Sequence, residues 1–232
     1  MKNKTILISG ISKGVGKELS IILSKDNKII GLSRSNYIPQ KSNISHFQCD
    51  LTQPKEIKHV LHEIISSCGT IDILINNASF LSTHPLLLIS DDDIKNMVLT
   101  NLLGTIILTK YVFRNMIKNN YGRIINITSI APKISEVGDS VYAATKAGVE
   151  SFSKIINKEG INFNVLVNNL GISAIKTGML EQIVKNNPES ILKIIPHKKF
   201  ATIESIIHII EFLCAENNKD IGGQTIYLGG IS

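Results

Sequence analysis

Tyr142 and Lys146 lie four positions apart in the stretch VYAATKAGVESF, Val141 to Phe152. On a helix that spacing is one turn, so both side chains project to the same place. A phenol beside an ammonium group can act as a proton-transfer pair, because the cation favours the phenolate and draws the tyrosine pKa down. The spacing alone does not establish this. Tyr37 and Lys41 share it, but Pro39 stands between them and interrupts any continuous helix. Ser129, thirteen positions upstream of Tyr142 in INITS, and Asn101 in TNLLGT are further polar candidates. His59, His62 and Glu63 form a weaker group. No motif places another ligand beside them, so they read as an exposed helix face and no metal site is expected.

The elements that must position these residues follow a regular alternation. Strand-like runs occupy Thr5–Ser9, Lys28–Ser33, Ser45–Cys49, Ile71–Asn76, Arg123–Thr128, Asn164–Asn168 and Thr225–Leu228. Most are nearly all apolar, as parallel strands covered on both faces are. Helical patterns fill the intervals at Val15–Leu23, Lys55–Ser67, Asp92–Ile117, Ser140–Asn157, Met179–Lys193 and Ile203–Ala215. The alternation predicts an α/β fold, a single Rossmann-like doubly wound parallel sheet of about seven strands with helices on both faces. One domain spanning 1–232 is expected. The apolar run in MKNKTILISG is too short for a signal peptide and passes directly into a glycine loop, so it reads as the first strand.

That loop is SGISKGVG, with Gly10, Ser12, Lys13, Gly14, Val15 and Gly16 leading into a helix. Glycines there let the backbone and the helix N-terminus approach a pyrophosphate. The G-x-x-x-G-x-G spacing resembles the nucleotide loop of classical short-chain dehydrogenases/reductases. CDLT, with Asp50 and Leu51, stands where that family contacts adenine. NNAS, from Asn76 through Asn77 and Ala78 to Ser79, resembles the family's N-N-A-G with serine in place of the last glycine. At the end of the second strand Ser33, Arg34 and Ser35 replace the acidic residue of NAD-binding members, and Lys13 adds a second cation. Two cations and two hydroxyls suit a 2′-phosphate, which makes NADPH/NADP+ the expected cofactor.

Asn101, Ser129, Tyr142 and Lys146 match the family's catalytic tetrad residue by residue. The resemblance implies carbonyl reduction, in which Tyr142 donates the proton and Ser129 holds the substrate oxygen. Lys146 would bind the nicotinamide ribose, and Asn101 would hold, through its backbone, a water that links the lysine to solvent. Thr128 could replace Ser129, but strand alternation points it to the other face. An ungapped count from Tyr142 matches Asn168, Ile175 and Thr177 to the family, with Ile175 and Thr177 as cofactor contacts and Ile172-Ser173 replacing Pro-Gly. Residues 178–200 would form the substrate lid, and Gly222–Gly230 a closing strand that in the family packs at a subunit interface.

Within the family the motifs are most similar to those of 3-oxoacyl-acyl-carrier-protein reductases. A 3-oxoacyl thioester, carried on acyl carrier protein or coenzyme A, is therefore the expected substrate. An alcohol or sugar dehydrogenase, or a non-catalytic NADP-binding regulatory protein, are the alternatives. The resemblance also implies a homotetramer or homodimer. The formal charge of +6 suits phosphates or an acidic carrier protein, though the scattered lysines also read as a solvated surface. With aromatics at 5%, no nucleic-acid surface is expected. No stretch reaches transmembrane length without polar interruption, so no membrane partner is expected. Three cysteines suggest no disulfide framework and a cytoplasmic location.

Overall fold

Seven strands alternate with helices in a computed structural model that describes residues 1–39, 41–173, 175, 192–193 and 195–231. The strands are β1 (Thr5–Ser9), β2 (Lys28–Ser33), β3 (Ile44–Gln48), β4 (Ile73–Asn76), β5 (Gly122–Ser129), β6 (Val165–Ile172) and β7 (Thr225–Tyr227). They form one sheet in the order β3-β2-β1-β4-β5-β6-β7. Every pairing is parallel. The order reverses between β1 and β4, and such a switch point opens a crevice at the strands' C-terminal ends.

The described helices are α1 (Gly14–Leu23), α2 (Pro54–Cys68), α3 (Asp91–Met97), α4 (Thr105–Lys118), α5 (Ala131–Ile134), α6 (Ser140–Gly160) and α7 (Ile203–Leu213). Alternation along each strand divides the core into two layers. Ile6 and Ile8 of β1 join Ile29, Ile73, Ile75, Ile125 and Leu170 on one face, with Leu19 of α1 and Ile206 and Ile210 of α7. Leu7 points the other way and joins Ile30, Leu74, Ile124 and Val167, with Ile57, Leu61 and Ile64 of α2 and Leu108 and Val112 of α4. This is why the strands carry apolar residues at consecutive positions. Full burial of each such side chain is worth about 1.5–3 kcal/mol.

Two elements differ most from the sequence expectation. Strand β6 continues past Asn168 to Ile172, although Asn169 is polar and fully buried. Its side chain is satisfied within a cross-strand ladder. Asn76 Nδ2 donates to Asn126 Oδ1 (2.7 Å), Asn126 Nδ2 to Asn169 Oδ1 (3.2 Å), and Asn169 Nδ2 to Thr225 Oγ1 (3.1 Å). These residues are register partners across β4, β5, β6 and β7.

The expected helix over Asp92–Ile117 is interrupted. A π-helical turn, Val98–Gly104, separates α3 from α4 and carries Asn101. The whole run Asp91–Lys118 has a window of mean hydropathy 1.3, enough by length and composition to cross a membrane. Its buried residues Met97, Leu108, Val112 and Met116 pack inside the protein instead. Thr177 and most of the expected lid and helix within 176–191 lie outside the described residues.

Candidate functional site

The C-terminal ends of the strands surround a cleft of about 640 Å³. At its floor the glycine loop turns from β1 into α1. Gly10 and Gly14 adopt φ of 78° and 59°, a left-handed conformation that glycine enters without penalty. A Cβ on Gly16 would lie 2.2 Å from the Gly10 carbonyl oxygen, so only glycine lets the helix pack this closely. Around Gly14 the space is open, with no atom within 4 Å of a virtual Cβ. Helix α1 begins there with no side chain capping its first N–H groups, an arrangement suited to an anion.

The end of β4 is laced onto this loop. Asn77 N and Ala78 N both donate to Ser9 Oγ at 3.0 Å, and Asn77 Nδ2 donates to the carbonyls of Ser9 and Gly10. Gly10, Ser12, Lys13, Gly14, Val15, Asp50, Leu51, Asn77, Ala78 and Ser79 all line the cleft, while Gly16 supports it from behind.

Ser33, Arg34 and Ser35 line the cleft's outer end. Lys13 and Arg34 are exposed and carry the positive charge there. The Ser33 hydroxyl is already engaged. It donates to the Ser35 carbonyl (2.9 Å) and stands 2.8 Å from His46 Nε2. His46 therefore braces this corner, a role the sequence did not signal because the residue lies on a different strand, thirteen positions away.

At the inner end Tyr142 and Lys146 share one face of α6 and line the cleft, with Lys146 Nζ 5.6 Å from the centre of the Tyr142 ring. Lys146 is buried and donates to the Ile127 carbonyl at 3.0 Å. Burial brings its ammonium pKa down to about 8, against the opposing pull of the Glu150 carboxylate. Burial likewise pushes the Tyr142 hydroxyl above its ordinary value. The nearby hydroxyls of Ser129 and Ser79 counter that rise, and the Asp139 carboxylate adds to it. The expected lowering of the tyrosine by the lysine is therefore corrected: desolvation dominates both groups, and Lys146 holds its charge weakly.

Ser129 ends β5 beside Tyr142, and its Oγ accepts from Ala131 N at 3.1 Å. The Asn101 side chain faces away from solvent and is fully engaged. Oδ1 accepts from Phe80 N (2.7 Å) and Ser79 Oγ (3.2 Å), while Nδ2 donates to the Phe80 carbonyl (2.8 Å) and Thr145 Oγ1 (3.3 Å). Thr145 Oγ1 in turn donates to the Tyr142 carbonyl at 2.7 Å. The π turn thus ties the β4 loop to the tyrosine helix, as interruptions of this kind often do at functional sites.

Some placements depart from expectation. Thr128 lines the cleft as well, because the cleft wraps over the strand end and reaches both faces of the sheet. Its hydroxyl and that of Thr100, another lining residue, are buried without a partner. Ile175 packs into the apolar core and bridges to Ala201, so its side chain does not line the cleft. Ile172 does line it, where Pro was the expected type. His59 and Glu63 form an exposed pair at 3.6 Å on α2, far from these elements in sequence.

These features fit a dinucleotide: an open glycine cradle with uncapped helix N–H groups, cations at one end, and orphaned hydroxyls beside a Tyr-Lys pair at the other. Known proteins agree with the arrangement. The sequence profile described as short chain dehydrogenase matches residues 4–188. The 3-oxoacyl-[acyl-carrier-protein] reductase FabG of Buchnera aphidicola subsp. Schizaphis graminum is 33% identical over 99% of this chain and 97% of its own. The protein of that name from Escherichia coli is 29% identical over 99% and 97% of the two chains. The structure of ElxO with NADP bound superposes with a TM-score of 0.90 at 29% identity, covering 98% of this chain and 97% of that one. A tyrosine-to-phenylalanine form of ElxO with NADPH bound gives 0.89 at the same identity and coverage. The chain belongs to the short chain dehydrogenase family and is an oxidoreductase.

Proposed function

We propose that this protein reduces the carbonyl of a 3-oxoacyl thioester to the 3-hydroxyacyl form with NADPH. One observation carries the reading: a single cleft holds Lys13 and Arg34 at one end and Tyr142 and Lys146 at the other. NADP-bound ElxO and the FabG relatives support both the cofactor and the substrate class. Gly10, Gly14 and the N-terminus of α1 would receive the pyrophosphate, and Lys13, Arg34 and Ser35 the 2′-phosphate. Asp50 and Leu51 would flank the adenine, and Asn77, Ala78 and Ser79 would follow the cofactor inward. The Ile175 main chain would approach its far end; Thr177, matched to the same role, lies outside the described residues.

When bound, NADPH supplies the hydride. The protein's own residues handle the oxygen and the proton. Ser129 Oγ holds the substrate oxygen, and Tyr142 gives it a proton as charge develops. Lys146 holds the ribose hydroxyls and, while protonated, offsets the phenolate left on Tyr142. The Asn101 main chain would position a water from which the proton is replaced, since its side chain is fully engaged.

An acyl substrate suits the rim. Leu86, Leu87 and Leu88 stand exposed on the loop after β4, Leu87 at 96%, and Val137 does so on the loop before α6. The two loops are joined by His84 N donating to the Gly138 carbonyl (3.2 Å) and Thr83 Oγ1 to Asp139 Oδ1 (3.2 Å). We further assign the protein to one cytoplasmic domain that assembles as a homodimer or homotetramer, covering Val98, Leu103 and Ile155 on the outer faces of the π turn and α6.

The test is steady-state oxidation of NADPH and NADH with acetoacetyl thioesters, cyclic ketones and keto-sugars. Turnover is expected with the thioester and NADPH. A clear preference for a keto-sugar, or for NADH, would overturn the assignment.

A further inference from the structure

The turn after β2 carries acceptors where a 2′-phosphate needs donors. Arg34 and Ser35, the exposed residues assigned to that phosphate, each bring a main-chain carbonyl with them. A carbonyl oxygen left free beside a phosphate would repel it, since both carry negative charge. Neither carbonyl is free. Ser33 Oγ donates to the Ser35 carbonyl (2.9 Å), and Gln48 Nε2 donates to the Arg34 carbonyl (2.8 Å).

Both bonds are governed from the edge strand β3. Ser33 has one hydroxyl proton and commits it to Ser35, so its 2.8 Å contact with His46 Nε2 takes its proton from the imidazole. His46 therefore carries a proton on Nε2 and donates it to Ser33. The strand register explains the reach of the two β3 residues. His46 pairs with Gly31 and Gln48 with Ser33, so His46 and Gln48, two apart, share the face of Ser33. Gly31 has no side chain, and Ile11 of the glycine loop fills the place of its Cβ. The Tyr37 ring closes on the imidazole edge-on, with centroids 5.8 Å apart, and Cys49 N donates to the Ser33 carbonyl at 2.9 Å. The buried Ser33 hydroxyl is thus no phosphate ligand, which corrects the sequence expectation of two hydroxyls and leaves that of Ser35.

We infer that His46 and Gln48 are positioning residues for the adenosine 2′-phosphate and set the preference for NADPH over NADH. Neither lines the cleft. They act by keeping the Ser35 and Arg34 carbonyls occupied, so that the turn offers the anion cations and a hydroxyl without a competing acceptor. A cofactor lacking the phosphate gains nothing from this. The inference rests on the NADPH reading above and deepens it, by naming what holds the discriminating turn.

The test is isothermal titration of the full chain with adenosine 2′,5′-bisphosphate and with adenosine 5′-monophosphate, neither of which requires turnover. His46→Leu is expected to weaken the bisphosphate about fivefold, the contribution of one hydrogen bond, and to leave the monophosphate within twofold of the parent. His46→Gln, which keeps an N–H near the place of Nε2, is expected to restore the bisphosphate. Gln48→Leu is expected to weaken it about threefold, and this exposed position carries the test should His46→Leu fail to fold. Unchanged bisphosphate affinity in the leucine variants overturns the inference. So does an equal loss of both ligands, which would mark the residues as structural, or a loss that His46→Gln does not reverse. A parent that binds the two ligands equally would overturn the NADPH reading and the inference with it. A preference in the parent that the leucine variants keep would overturn the inference alone.

Discussion

The two ends of the sheet use polar residues in opposite ways. At the N-terminal end of β5, Arg123 is fully buried, and its Nη atoms donate to the carbonyls of Gly122, Asn164 and Asn218 and to the Asn164 side chain. Asp72 Oδ2 accepts from Thr5 N (2.7 Å), and Asn115 ties Ile71 N to the Gly69 carbonyl. Most polar groups there hold the chain to itself, although Arg123 Nε and the Tyr121 hydroxyl are buried without a partner among the described residues. At the C-terminal end, Thr100 and Thr128 leave buried hydroxyls unpaired, and Lys146 is buried against its own charge. Arg123 offsets its burial with several bonds to the chain, whereas Lys146 has one, to Ile127, and the hydroxyls around it stay available for a ligand.

Four substitutions sharpen or break this contrast. The largest effect is expected from Lys146→Met, with turnover falling at least about 100-fold. Stability should move the other way. The folded-state pKa near 8 lies below the ordinary 10.5, so the folded protein disfavours the charge at pH 7 by about 3 kcal/mol. The gain in Lys146→Met is therefore greatest below pH 8 and fades as pH rises toward 10.5, less whatever the lost Ile127 bond contributes. Urea unfolding at pH 7 and pH 10 checks the sign.

Arg123→Met should do the reverse. It leaves several buried carbonyls unsatisfied and costs about 3 kcal/mol of stability, with NADPH affinity unchanged once the protein is folded. Equal loss of affinity would break the contrast. Next in size, Arg34→Ser should weaken NADPH about tenfold and leave NADH nearly untouched, measured as the ratio of their kcat/KM values. The smallest is Glu150→Gln. The carboxylate supports the Lys146 charge, so its removal should move the alkaline fall in NADPH affinity to lower pH, starting from about 8. A move to higher pH would contradict that sign.

Much of the architecture was legible because alternation and apolar runs respond to burial on each face of a sheet. Strands β1 and β2 end where their residue types change, at Ser9 and Ser33. The glycine loop and the Tyr-Lys turn were legible because glycine freedom and helical spacing are local. Long-range polar pairing was not. Asn169 reads as lying just past a strand that ends at Asn168, yet Asn126, Ser153 and Thr225 satisfy it from three other elements. The π turn around Asn101 depends on a partner at Phe80, and the brace on Ser33 depends on His46, so neither leaves a periodic trace. Desolvation was the deepest omission. The spacing of Tyr142 and Lys146 shows that they are neighbours, but only burial shows which way their protons are held.

The most direct test of the account is Tyr142→Phe, assayed for kcat with NADPH and an acetoacetyl thioester beside the dissociation constant for NADPH. The substitution removes one oxygen and keeps the ring. The account predicts a kcat lowered about 100- to 10,000-fold with NADPH bound as tightly as before. Undiminished kcat in Tyr142→Phe would contradict it.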